Sequence, residues 1–382
     1  MSAKRNRFAC FLFLIAAVGT TAVRGADDGF NDGVDRTDPN FVTASLVIAS
    51  PGEELFSCVG HAFIRLECPT FKLDYCFSDE SENVRDRVFA FLAGRLKMGM
   101  ISVPTEKLLD EYRKDRRGVR QYRLNLAPDV KQRLWKLLDG KVAEGVDFPY
   151  DYDKRGCAKS VLTCIGEALR PTQFEVPLSA RVTRTRREMF CDALAKTHPW
   201  NLLILNGIVG VETDNVEDVV TPISILSFLQ KAKVGGQPVL VGPPVELLPA
   251  APAKDPSWFT PMVAGGLLVL LAIGNWFVRR PFIDWLFLSL QSALGAFFTY
   301  LITFSALPTA HWNWLIVPFN LLPLVFWRWR RYWAWPFAAV LVAWEALMIF
   351  YPHQLTDWAY VVIVAAYIVL YAKQGYGRSH LR

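Results

Sequence analysis

Cys157 and His61 are the residues of this chain best suited to act as a nucleophile and its proton partner. Cys157 opens "CAKSVLTCIGEAL", directly after "DYDKRG". Cys157, Val161, Cys164, Ile165 and Ala168 fall on one stripe of a helix that starts near the cysteine, with Asp153 or Gly156 as its cap. A thiol at a helix start feels the partial positive charge of the free amides. Lys154, Arg155 and Lys159 act in the same direction, so this spacing favours a thiolate near neutral pH. A thiolate that attacks a carbonyl needs a proton partner. His61, in "LFSCVGHAFIRL", follows a glycine inside a short strand, whereas His198, in "THPWN", stands beside a proline and reads as a capping or packing residue. The alternative to catalysis is that His61 is a satisfied structural residue.

Three strands must carry the histidine. Residues 45–49, 59–66 and 71–77 alternate as half-buried strands, with "SPGEE" and "CPT" as turns between them. His61, Phe63 and Arg65 share one face of the second strand, and Lys72, Asp74 and Cys76 share one face of the third. Asp74 is therefore the candidate to orient the imidazole, with Glu67 and Ser78 as substitutes. Residues 121–126 read as a further strand, and 129–142 and 186–196 as helices. The chain has seven cysteines. Export would make disulfides the ordinary reading of Cys58, Cys68, Cys76, Cys164 and Cys191. Cys58, His61, Cys68 and Cys76 are also zinc-ligand types, although their spacing is not that of a compact knuckle, and no metal or cofactor is expected.

Of the 382 residues, 52% are hydrophobic, with 13 Trp and 26 Phe, too many for an ordinary soluble chain of this length. The excess is confined to two regions. Lys4, Arg5 and Arg7 precede an apolar run and then small residues, the order of a secretory signal or an uncleaved anchor over 1–26. Five apolar stretches, 259–278, 282–304, 314–327, 334–350 and 358–372, read as membrane spans. Arg279 and Arg280, then Arg328, Arg330 and Arg331, then Lys373, Arg378 and Arg382 make every second joint basic, while 305–313 and 351–357 carry no Lys or Arg. Positive charge stays in the cytoplasm, so the middle of the chain is exported and the C-terminus is internal. The net charge of +6 is in good part this topology charge and does not point to nucleic acid.

The expected organisation is a signal or anchor over 1–26, an exported α+β domain over 27–234 built on a small antiparallel sheet with helices, a proline-rich linker over 235–257, and an α-helical membrane domain over 258–382. His311 and Asn313, in an outward joint, and Arg65, on the His61 face, are candidate substrate contacts. Trp312 and Trp314 beside them also suit plain interfacial anchoring. Glu345, inside the fourth stretch, needs a partner or a wet cavity.

"SPGEELFSCVGHAFIRL", "RRGVRQYRLNL", "FPYDYDKRGCAKSVL", "PWNLLILNGIVGVETD" and "PTAHWNWLIVPFNLLPL" together resemble the Bacteroides-type lipoprotein N-acyltransferases, whose periplasmic domain was long catalogued as a domain of unknown function. The chain departs from that pattern at Gly156, where an asparagine commonly precedes the cysteine, and at Leu307, where a histidine is common. The family is similar in turn to permuted papain-like cysteine enzymes of the NlpC/P60 type, in which the histidine strand precedes the cysteine helix. The resemblance implies a cysteine acyltransferase of the bacterial inner membrane. Cys157 would carry an acyl thioester, His61 would move the proton and Asp74 would orient it. A membrane phospholipid would be the donor and the N-terminal amine of a diacylated lipoprotein the acceptor. Two rivals remain at this level: a thiol hydrolase of peptide or lipid, and a non-enzymatic lipid-binding scaffold with bridged cysteines.

Overall fold

A computed structural model describes residues 34–55, 57–82, 85–145, 148–149, 151, 156–177, 184–251, 257–350 and 358–376. The signal segment 1–26, Cys10, Asp153, Lys154, Arg155, the joint 351–357, Arg378 and Arg382 lie outside them. Residues 34–36 group with an N-terminal unit, Met1–Arg36, and Thr37–Arg382 forms the second compact unit, described below.

The N-terminal part, expected to be exported, is built on a seven-stranded antiparallel sheet. Its strands are β1 (Thr43–Ala49), β2 (His61–Cys68), β3 (Leu73–Ser81), β4 (Lys97–Pro104), β5 (Val119–Leu124), β6 (Phe148–Pro149) and β9 (Leu240–Leu248), in the order β6-β4-β3-β2-β1-β5-β9. A separate two-stranded ribbon pairs β7 (Lys233–Val234) with β8 (Gln237–Pro238). Alternation sorts the side chains. Leu46, Ala62, Ile64, Leu66 and Phe77 face a core completed by α3 (Pro128–Glu144), α4 (Cys157–Leu169) and α7 (Pro222–Lys231). Val47, Phe63 and Cys76 point the other way and are covered by Leu108, Leu109 and Tyr112 of α2 (Thr105–Lys114). Helix α4 buries Ala158, Val161, Ile165 and Ala168, the spacing that one helical face requires.

The expected linker over 235–257 is not a simple tether, because β9 pairs with β5 as the last strand of the sheet. Pro243 and Pro244 conceal a strand in the sequence, yet they are tolerated at an edge, where one row of N–H groups has no partner to satisfy. The pairing is irregular there, with register shifts between Val119 and Arg120 and between Gln121 and Arg123.

Among the described residues, four helices are long and apolar enough to cross a membrane. They lie in α8 (Pro261–Val278), α9 (Pro281–Phe304), α12 (Arg330–Phe350) and α13 (Trp358–Tyr376). The third of the five expected spans, 314–327, is not a helix of that length. The chain there forms a 3₁₀ turn, Trp314–Ile316, then the short α11 (Leu322–Val325) and another 3₁₀ turn, Trp327–Trp329, after α10 (Pro308–His311). Pro318 and Pro323 remove amide donors that a continuous helix would need.

The broken stretch still runs from one end of the helix layer to the other. Trp314 accepts at its carbonyl from Trp344 Nε1 at 3.0 Å, and Trp327 packs on Trp285 near the start of α9. Carbonyls freed by the break find side-chain donors: Gln291 Nε2 donates to Pro318 O at 2.7 Å, Asn320 Nδ2 to Val317 O at 2.7 Å and Trp333 Nε1 to Phe326 O at 2.8 Å. Non-helical backbone is tolerated at membrane depth only under such cover. Gly295 permits the approach, since a Cβ there would lie 2.7 Å from the Asn320 carbonyl carbon.

Lys373, Asn275 and Asp284 tie one end of α13, α8 and α9 together, at 2.9 and 2.7 Å from the Asp284 carboxylate. Arg279 and Arg280, in the α8–α9 joint, belong to that end. The opposite end meets the exported part. Tyr360 donates to Leu203 O at 2.8 Å, Val211 N to Trp312 O at 2.8 Å and Ala306 N to Ala93 O at 2.8 Å.

Candidate active site

His61 is the first residue of β2, at the end of the sheet. Gly60 before it has φ +91°, a conformation L side chains rarely adopt, and a Cβ there would lie 2.8 Å from Ala49 O. This turn delivers the imidazole to the sheet end that α4 reaches with its first residue, Cys157. Gly156 is the N-cap of α4 and offers no side-chain cap to the first-turn amides near the sulfur.

The sulfur and the His61 imidazole line one cavity. Burial opposes the thiolate, but the His61 charge, with hydrogen bonding from His61 and from the Ala62 backbone N–H, outweighs it and holds the Cys157 pKa below the ordinary thiol value. At His61, burial disfavours the charge. The Cys157 thiolate and the Glu80 carboxylate overcome it and hold the imidazole pKa well above its ordinary value. The other buried thiols behave oppositely: burial raises Cys58 and Cys164 to about 11 and Cys76 to about 12. None of the six described cysteines is in a disulfide, so the expected bridges are absent among them. Nor do Cys58, His61, Cys68 and Cys76 gather: no metal-holding cluster of His, Cys, Asp and Glu occurs among the described residues.

The expected orienting residue, Asp74, is elsewhere. Its carboxylate accepts from Arg65 Nε and Nη2 at 2.8 and 2.7 Å and from the Thr105 hydroxyl. Asp74 and His61 do lie on the same sheet face, but the register separates them. Glu67 stands opposite Asp74 and Ile64 opposite Phe77, so the same register continued toward the start of β2 brings Glu80 to His61. Glu80 Oε1 is 3.5 Å from His61 Nε2. Ser78, one of the sequence substitutes, lies between them: its Oγ is 2.6 Å from His61 Nε2 and donates to Glu80 Oε1 at 2.9 Å. With Nε2 so engaged, Nδ1 is the nitrogen left for the sulfur. Burial works against the Glu80 charge, yet hydrogen bonds from His61 and Ser78 and the nearby Arg117 keep its pKa below the ordinary carboxylate range. The other substitute, Glu67, pairs with Arg65 at 3.0 Å.

Arg65 therefore serves Asp74, Glu67 and Gln121, whose Oε1 it reaches at 2.6 Å, and does not line the site. The other two expected substrate contacts are engaged in the outward joint. His311 Nε2 lies 2.7 Å from Ser305 O, and buried Asn313 donates to Gly207 O at 2.7 Å while accepting from Leu315 N at 3.0 Å. Leu307 is buried among the membrane-side apolar residues.

A cavity of about 280 Å³ opens over the sulfur. His61, Asp79, Glu80, Tyr112, Arg117 and Cys157 form its polar part, and Phe91, Met98, Phe190, Leu205, Ile208 and Val220 its apolar part. Tyr112 stacks on Phe63 at 5.8 Å, and the Arg117 guanidinium sits 4.8 Å above the Tyr112 ring. Sequence reasoning missed Glu80, Tyr112 and Arg117. Parity along β3 made Glu80 eligible without distinguishing it from Asp74 or Ser78; nothing in the spacing singles out the other two.

No curated protein and no solved structure matches the chain. Residues 31–186, less than half of its length but including His61, Ser78, Glu80, Tyr112 and Cys157, match the family model described as the Lnb N-terminal periplasmic domain, which with four membrane-length helices fits a multi-pass membrane protein with a periplasmic domain.

Proposed function

We propose that the protein is a cysteine acyltransferase of the bacterial inner membrane, moving a fatty acyl chain from a phospholipid to the N-terminal amine of a diacylated lipoprotein. The observation that carries this reading is geometric: Cys157, the first residue of α4, and His61, the first residue of β2, line one cavity that is walled partly by segments touching the membrane helices. The order of a histidine strand followed by a cysteine helix adds support, being that of the permuted papain-like enzymes. Basic residues gather at the membrane end remote from the cavity, which suits a cytoplasmic face there and a site at the outer leaflet.

The chemistry follows from the site. The Cys157 thiolate attacks the ester carbonyl, and amides of the first α4 turn are the donors proposed for the developing oxyanion. Imidazolium at His61 returns its proton to the departing alcohol as the C–O bond breaks, leaving a thioester. The acceptor amine then attacks that thioester, His61 takes a proton from it, and the thiolate leaves. Ser78 and Glu80 fix the ring and stabilise its charged form.

Mass spectrometry of lipoprotein N-termini from cells carrying wild type, Cys157→Ala or His61→Ala tests this. Both variants should be present in the membrane and should lose N-acylation. Normal N-acylation in either one overturns the reading, and a product that is hydrolysed rather than transferred favours a thiol hydrolase.

A further inference from the structure

The apolar side of the cavity adjoins the membrane helices. Phe91 of α1 (Val88–Leu92) and Ile208 of α6 (Pro199–Ile208) line it, and both pack in one cluster with Leu96 and with Phe297 of α9. A single layer of side chains therefore stands between the thiol cavity and a membrane helix. The outer surfaces of the same two short helices are also apolar: Phe89 is 79% exposed, and Val88, Trp200 and Ile204 are exposed. Trp200 continues this surface onto the start of α8, donating to Phe259 O at 2.9 Å and packing on the Phe259 ring. Exposed apolar surface continuous with membrane helices marks a lipid contact.

We infer that Phe91, Leu205 and Ile208 form the seat of the acyl chain of the lipid that Cys157 attacks, entering sideways from the outer leaflet past α1 and α6. The inference rests on the acyl-transfer reading and adds the route of the chain and the residues that measure it. A chain arriving from the bilayer leaves hydrocarbon for hydrocarbon, so discrimination among chains rests on how closely the wall fits them rather than on removal from water. Leu205 and Phe91 thus set which chain lengths react. A lipoprotein acceptor presents an amine to the thioester, whereas the donor presents its chain on the carbon the sulfur attacks.

Alkylating reagents that carry a chain on the attacked carbon's acyl side reproduce the donor arrangement. Full-length protein in vesicles of phosphatidylethanolamine and phosphatidylglycerol is treated with iodoacetamide or with N-dodecyl iodoacetamide, and the adduct at Cys157 is followed by peptide mass spectrometry. The ratio of dodecyl to unsubstituted rates is the readout, and no lipoprotein is present. Leu205→Trp, which fills the wall, should lower that ratio about tenfold. Phe91→Ala, which removes part of the wall, should also lower it, by a smaller factor, and Val245→Ser, exposed on β9 and outside the cavity lining, should leave the ratio at its wild-type value. Equal ratios in wild type, Leu205→Trp and Phe91→Ala overturn the acyl seat while leaving the thiol chemistry intact. A Cys157 that reacts with neither reagent overturns the acyl-transfer reading and this inference with it.

Discussion

Glu80 and His61 meet across the hairpin of β2 and β3, with the carboxylate 3.5 Å from Nε2 and the Ser78 hydroxyl bonded to both. A carboxylate held ionised beside a half-buried ring favours imidazolium, and imidazolium favours thiolate at Cys157. The electrostatics of the site thus begin at a residue that does not touch the sulfur.

The first consequence is a pH window for the ion pair. Thiolate exists above the lowered Cys157 pKa, and imidazolium exists below the raised His61 pKa, so the pair persists between the two. Alkylation of Cys157 by iodoacetamide should therefore stay fast well below the ordinary thiol value of about 8.5. Rates that rise only at or above that value would contradict the assignment.

Replacing Glu80 by Gln removes a charge that raises the His61 pKa. The alkaline limb of the acylation profile should move to lower pH, and the maximal rate should fall by about tenfold to a hundredfold. A pH–rate profile identical to wild type would assign Glu80 no role at His61.

Asp74 is expected to matter for stability only. Burial works against its ionised form, but Arg65 and Thr105 outweigh it and lower its pKa, so its stabilisation is fully present above the ordinary carboxylate value and is lost as pH falls through the lowered one. Asp74→Asn should cost about 1–2 kcal/mol near neutral pH and soften the acid limb of the stability curve. Thermal unfolding in detergent at several pH values measures this, alongside an unchanged rate of Cys157 alkylation in the folded protein. A variant of full stability and slow alkylation would restore Asp74 to the catalytic group.

The broken stretch between Trp314 and Trp329 predicts a crossing without a spanning helix. Single cysteines replacing Trp312 and Arg328, in a chain with its other cysteines changed to serine or alanine, should be labelled by an impermeant maleimide from opposite sides of the membrane. Labelling of both from one side would make the stretch a re-entrant loop.

Particular residues show why some of this was legible in the sequence. Alternation assigned His61 and Phe63 to one face and Ala62 and Ile64 to the other, and the apolar clusters divide the same way. It could not say which residue of β3 faces His61, because that depends on a connection that closes through a 3₁₀ turn, Pro69–Phe71, with Lys72 at φ 54°. Any even slip along β3 keeps the face and changes the partner, so Asp74, Ser78 and Glu80 were equivalent by parity. Hydropathy likewise recognised 314–327 as membrane material. It averages over Pro318 and Pro323 and so could not register that the backbone there relies on Gln291 and Trp333 for its hydrogen bonds. Strand β9 was hidden for the converse reason: prolines are poor strand formers except along an edge, and only the assembled sheet shows where its edges are.

Backbone bonds from Ala306 to Ala93 and from Val211 to Trp312, with Asn313 holding Gly207, rivet the sheet-bearing half to the joint between α9 and the broken stretch. A domain on a leash can sweep a volume and reach distant polymer; this one has a fixed altitude. Under the proposed acyl transfer its substrates would have to share its plane, diffusing in two dimensions until they collide with it, so turnover in cells should depend on lateral crowding and bilayer fluidity rather than on bulk concentration.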